Sequence, residues 1–176
     1  LGQEPADIVI LSAADSDLAS FANAFRTLPS GFPSLRLTNL LALGHPASVD
    51  LYVERTLKSA RLVILRMLGG ESYWPYGVEQ LRTDALRRGS LLACVPGELT
   101  WDAPLAARGN VATEATEKFW KYCSEGGVEN ASFALRFAAH LIGHGEAPPP
   151  PKPMPTAGFW RAPQTDTRAI VPVIFY

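Results

Sequence analysis

The chain has 176 residues and 19.1 kDa, 47% of them hydrophobic and 19% charged, with 16 Lys+Arg against 17 Asp+Glu for a formal net charge of −1. This is a globular composition, long enough for one compact domain with a full core and a remainder. So balanced a charge excludes a general electrostatic binder of nucleic acid or membrane surface, and no run of about 18 uncharged apolar residues offers a membrane-spanning helix.

The opening Leu1-Gly2-Gln3-Glu4-Pro5 shows no basic-then-apolar signal pattern and no initiator Met, so further residues upstream are expected. Ile8-Val9-Ile10-Leu11 is a continuous β-branched run that reads as a buried strand. Asp15 or Ser16 is then placed to cap a helix whose Leu18, Phe21, Ala22 and Phe25 share a face, stopped by Pro29 and Gly31. Leu35-Arg36-Leu37 is a second strand candidate, Leu40 to Leu43 has no clear type, and Ser48 is expected to cap a helix with Val49, Tyr52, Val53 and Leu57 inward.

Leu62-Val63-Ile64-Leu65 is the clearest strand, and it runs into Arg66-Met67-Leu68-Gly69-Gly70. A helix follows from about Pro75, where a missing N–H costs nothing, to Arg88-Gly89. Leu91 to Val95 is a strand closed by Pro96-Gly97, and two helices, about 112–122 and 130–142, flank Gly126-Gly127. Four strands alternating with helices predict an α/β fold, a flavodoxin-like or Rossmann-like parallel sheet with helices on both faces.

Composition then shifts. The stretch 146–163 holds seven of the 15 prolines, which favours extended polyproline II over helix or central strand. The expected organisation is an α/β head domain over 1–145, a Pro-rich linker over 146–168, and over 169–176 the first strand of a following domain absent from this chain.

Ligands of such sheets sit beyond the carboxyl ends of the strands. The loop Ser12 to Asp17 lacks the glycines of a phosphate-binding turn, and a helix cap is its simpler role. The loop Gly69-Gly70-Glu71-Ser72-Tyr73-Trp74-Pro75-Tyr76-Gly77 is less ordinary, because paired glycines sit beside three aromatics and follow Arg66. Guanidinium and aromatic faces together suit a planar anion or flat ring, although the same aromatics suit plain packing of a helix start. The turn Val95-Pro96-Gly97-Glu98 carries no distinguishing pattern. His140 and His144 have a metal-compatible spacing with no assured third ligand, and no catalytic constellation is visible. Cys94 and Cys123, far apart and in no CxxC pair, exclude a disulfide framework and a cysteine zinc site, and a reducing cytoplasm is the expected compartment.

Several collinear stretches resemble the N-terminal region of the large subunit of aerobic cobaltochelatase, a family related to the large subunit of magnesium chelatase. They are Pro5-Ala6-Asp7-Ile8-Val9 with Leu11 to Asp15, Pro33 to Leu37 with Asn39-Leu40, His45 to Tyr52, Arg66 to Gly70 with Tyr73-Trp74 and Tyr76-Gly77, Pro96-Gly97, Gly126-Gly127 with Asn130, and Val171 to Tyr176. The resemblance implies a piece of a very large tetrapyrrole-binding subunit. With two smaller subunits, one an AAA+ ATPase, that subunit takes part in ATP-driven insertion of Co²⁺ into hydrogenobyrinic acid a,c-diamide during cobalamin biosynthesis.

On this resemblance the piece is expected to be non-catalytic and to bind no cofactor or metal itself, Co²⁺ and ATP being used by the full complex. It would help enclose the tetrapyrrole or dock partner subunits. Arg66, Gly69, Gly70, Tyr73 and Trp74 are the expected substrate-binding residues, with Arg66 pairing a ring carboxylate. The alternative is a free-standing flavodoxin-like small-molecule-binding domain, against which the lack of a phosphate loop counts. A receiver-like module is disfavoured, since Leu68 and Gly69 stand after the central strand where a phosphorylatable Asp would be needed.

Overall fold

The computed structural model describes residues 3–154, 157–160 and 171–174, the last two stretches as backbone. Four strands, β1 (Ile8–Ser12), β2 (Leu35–Asn39), β3 (Leu62–Met67) and β4 (Leu91–Pro96), form a wholly parallel sheet in the order β2-β1-β3-β4. This is the expected α/β fold, and its order matches the first four places of the flavodoxin-like 2-1-3-4-5 arrangement. Every residue of β1 and β3 is buried, as a sheet covered on both faces requires.

The helices are α1 (Asp15–Phe25), α2 (Pro46–Arg55), α3 (Pro75–Arg88), α4 (Ala103–Ala106), α5 (Thr113–Glu125) and α6 (Gly127–Leu141). Alternate strand residues feed two cores. Ile8, Ile10, Leu62, Ile64, Ala93 and Val95 pack with Phe21, Phe119, Tyr122 and Leu135 of α1, α5 and α6. Val9, Leu11, Val63, Leu65, Met67 and Cys94 pack with Val49, Tyr52, Val78 and Leu81 of α2 and α3. Burial of this kind stabilises by about 25 cal/mol per Å² of apolar surface, which anchors the strand ends and whatever they carry.

Local details differ from expectation where a backbone group found another partner. Neither Asp15 nor Ser16 caps α1: its N-cap position is Ala14, and the Ser12 hydroxyl accepts from the Ala14 N–H at 3.1 Å instead. The cap of α2 is His45, whose Nδ1 accepts from Ala47 N–H at 3.2 Å ahead of Pro46; Ser48 lies inside the helix. The ambiguous Leu40–Leu43 is a 3₁₀ turn capped by Asn39, and the short helix α4, capped by Asp102 on Leu105 N–H at 2.9 Å, had no periodic signal. α5 and α6 meet at an elbow where Gly126 (φ 69°) and Gly127 (φ 80°) take conformations that L side chains resist.

Both outer strands have company along their free rims. On β4, Leu92 N–H donates to Asn110 Oδ1 at 2.7 Å, while Asn110 N–H and Asn110 Nδ2 donate to Leu92 O and Ser90 O at 2.9 Å each. On β2, Gln3 Nε2 donates to Leu37 O at 3.0 Å and Arg36 Nε to Glu4 O at 2.8 Å.

After α6 the chain has no helix or strand through Met154. Within the stretch expected to be linker, Ala157–Trp160 forms β5, paired antiparallel with β6 (Val171–Ile174). Ala157–Trp160 holds no proline, so its own ladder N–H groups are intact, whereas its partner β6 carries Pro172 opposite Phe159. The rest of the expected linker from Pro155 on, and the flanks of β6, lie outside the described residues.

Candidate functional site

The carboxyl ends of β1, β3 and β4 are tied together by one guanidinium. Arg66, 6% exposed, donates from Nε to Asp17 Oδ2 at 2.7 Å, from Nη1 to Pro96 O at 2.7 Å and from Nη2 to Gly97 O at 3.0 Å. The Ser12 hydroxyl donates to the same Asp17 oxygen at 2.8 Å. Ser12 and Arg66 are register partners on β1 and β3, the adjacent strands at which the sheet order reverses. That switch point is where a doubly wound sheet ordinarily receives its ligand. Here Arg66 and Asp17 occupy it.

The open space lies one strand further over. A cleft of about 540 Å³, lined by Gly69, Gly70, Glu98, Thr100, Trp101 and Asp102 with the start of α4, separates the loops that follow β3 and β4. The loops are fastened around it. Glu98 Oε1 accepts from the Gly69 N–H at 2.5 Å, the Trp120 indole donates to Glu98 O at 2.9 Å, and Arg108 holds Glu71 by two contacts of 2.7 Å. Trp101 leans on Trp120 with ring centroids 5.6 Å apart. Gly69 (φ 80°) and Gly70 (φ 68°) are required by backbone conformation, and a Cβ on Gly70 would also come within 3.2 Å of Asp102 Oδ2.

Its chemistry follows from this lining. A bare glycine floor and an indole accept a flat apolar body, and the carboxylates of Glu98 and Asp102 accept hydrogen bonds. No cationic side chain is among the lining residues, so amide or other N–H donors are welcome there and a carboxylate is not.

Of the residues expected at the site, Gly69 and Gly70 line the cleft, and Tyr73 stands beside Gly69, 52% exposed. Trp74 is turned inward, 9% exposed, its indole N–H bonded to Leu43 O at 3.1 Å and its ring against Gly77. Arg66 is buried beneath the loops in the network just described. Glu98 belongs to the candidate turn that carries no distinguishing pattern, and Thr100, Trp101 and Asp102 lie beyond any loop the sequence singles out. Their only sequence signal is an indole and two carboxylates within five residues after a strand, a pattern also found in ordinary turns.

Elsewhere, His140 Nδ1 lies 3.1 Å from Gly145 O while the His144 ring packs edge-on to Phe32, and among the described residues no group of three or more His, Cys, Asp or Glu converges as metal ligands. Cys94 is buried and Cys123 half-buried, neither is bridged, and burial pushes both thiols up to about 12, which disfavours the thiolate. Among the described residues no helix is long and apolar enough to cross a membrane.

No protein-family model matches the chain. Over its full length it is 43% identical to the aerobic cobaltochelatase subunit CobN of Pseudomonas aeruginosa, and over 91% of its length 44% identical to the protein of the same name from a Sinorhizobium species. The chain spans only 15% and 12% of those two relatives. Among solved structures, the catalytic subunit of cobaltochelatase from Mycobacterium tuberculosis superposes on 89% of the chain with a TM-score of 0.70 and 26% identity, the match covering 12% of that subunit.

Proposed function

The chain is a homologue, over its whole length, of part of the aerobic cobaltochelatase subunit CobN, and on that premise we propose that it is an N-terminal, non-catalytic head of such a subunit that forms one wall of the tetrapyrrole site. The observation that carries this reading is the open cleft between the loops after β3 and β4, with its glycine floor and half-buried Trp101, and with exposed Tyr73 beside Gly69. Metal insertion needs a macrocycle gripped and enclosed while its pyrrole protons leave and the cation sheds water. A shallow cleft on a rigid sheet is suited to be one side of that enclosure.

The acceptor-rich, cation-free lining favours a ring that carries carboxamides, in keeping with hydrogenobyrinic acid a,c-diamide as substrate. In this reading Co²⁺ is cargo met elsewhere in the subunit, and ATP is consumed by a partner AAA+ subunit. A second small subunit completes the complex, the reaction forms nitrogen–metal bonds, and the compartment is the cytoplasm. Arg66 and Trp74 then act as positioning residues, holding the loops from beneath, while Gly69, Gly70 and Tyr73 meet the ring.

The test is tetrapyrrole affinity, read by fluorescence quenching, of full-length subunit carrying Tyr73→Ala with Trp101→Ala. Each lost aromatic contact is worth about 0.5–1.5 kcal/mol, so the double variant is expected to bind about five- to a hundredfold more weakly. Unchanged affinity would remove enclosure and leave the second reading, docking of a partner subunit on this edge. Leu41, Leu68 and Leu99, exposed apolar residues of the loops after β2, β3 and β4, are the observation that favours it.

A further inference from the structure

The proline-rich segment does not simply trail from α6. Between Pro148 and Met154 its backbone is held by side chains of the α5–α6 elbow. Lys152 N–H donates to Asn130 Oδ1 at 2.8 Å, and Asn130 Nδ2 donates to Lys152 O at 2.7 Å. The Tyr122 hydroxyl donates to Pro149 O. Met154 N–H reaches Glu125 Oε2 at 3.3 Å, and Lys152 Nζ pairs with Glu129 at 2.8 Å. Pro148 is buried, and Met154 Sδ lies 3.0 Å from where a Cβ on Gly127 would stand.

Asn130 is the centre of this seat. It is 1% exposed, and its remaining amide N–H donates to Gly126 O at 2.8 Å, so one bond ties it to the elbow and two tie it to the segment. A polyproline-type chain has no internal hydrogen bonds, and its backbone must be satisfied by water or by a partner. Between 148 and 154 the non-proline residues are Lys152 and Met154, and both of their N–H groups are taken by the elbow. Prolines also lower the entropy lost on docking, because the free segment is already extended. The two positive-φ glycines set the angle between α5 and α6 that brings Tyr122, Glu125 and Asn130 to one side.

We infer that the α5–α6 elbow is a recognition seat for an extended polyproline segment, occupied by the chain's own residues 148–154. The segment is thus a fixed strap of the α/β domain and not a tether, and Asn130 fixes its backbone against the domain at Lys152.

Amide hydrogen exchange on the chain tests this at Lys152 and Met154. The expected result is exchange at Lys152 at least about tenfold slower than in a free peptide. Asn130→Asp, which keeps shape and acceptor but loses both N–H donors, should abolish that slowing while the amides of β1 and β3 stay protected. Free-peptide exchange at Lys152 in the unaltered chain overturns the inference, as does slowing that survives Asn130→Asp with the strands intact. If Asn130→Asp also releases the strands, Tyr122→Phe decides. It removes one hydroxyl from a seated strap, so selective loosening at Lys152 supports the seat and no change there overturns it.

Discussion

Remove the carboxylate of Asp17 and Arg66 keeps its charge, its burial and two carbonyls, but loses its counter-ion. Asp17→Asn is therefore expected to destabilise the domain by about 1–3 kcal/mol, the cost of leaving a buried charged donor unmatched, read as a lower urea midpoint with unchanged m-value. A midpoint within error of the parent would mean that the network is ornamental. The same residue marks what a sequence can and cannot disclose. Gly69-Gly70 is legible because a glycine pair after a strand has few other uses, and it does line the cleft. The fate of Arg66 is not legible, because its partners Asp17 and Pro96 lie 49 and 30 positions away and only the sheet order brings them together. Trp74 misleads for a related reason: its neighbours in sequence face the solvent, while its own ring is drawn inward by Leu43 O and by the missing side chain of Gly77.

At the level of elements, that small residue in the first turn of α3 is the most sensitive point. A Cβ on Gly77 would fall 2.1 Å from Trp74 Cε2, far inside any contact distance, so the indole or the helix must move. Gly77→Ala is expected to cost about 1–3 kcal/mol as an overpacked site, despite alanine's better helix propensity, and to red-shift tryptophan emission as Trp74 is expelled. A stabilised variant with unshifted emission would refute this packing. α3 itself was legible from end to end, because Pro75 at its first position and Gly89 in the left-handed region just past its last are local signals. α4 was not: four residues hold no period, and its existence depends on Asp102 finding the Leu105 N–H. His45 escaped notice as a cap because an imidazole is a rarer acceptor than the serine three residues on.

For the whole molecule, alternation of strands and helices disclosed a parallel sheet with two covered faces, while the strand order and the occupied switch point depend on contacts that no local pattern records. That occupied crevice weighs against the independent flavodoxin-like binder, whose ligand would need the space held by Arg66 and Asp17. The tail was legible as proline-rich, but not as a partner for Asn130, since a single buried asparagine announces nothing in sequence. The escorts along β4 and β2 bear on a different matter, the company the domain keeps. A Cβ on Gly109 would sit 2.4 Å from Leu92 O, so Gly109→Ala should prise the Asn110 segment off β4. The variant is expected to show concentration-dependent self-association by light scattering where the parent scatters as a single species, and equal scattering from the two would dismiss the segment's guarding role. An open four-stranded sheet is half of a potential zipper, and most such sheets rely on charged or broken borders to stop growth. Here the chain's own flanking residues sit against each border, at Leu92 on β4 and at Leu37 on β2, so a neighbouring strand would first have to displace them before it could extend the sheet.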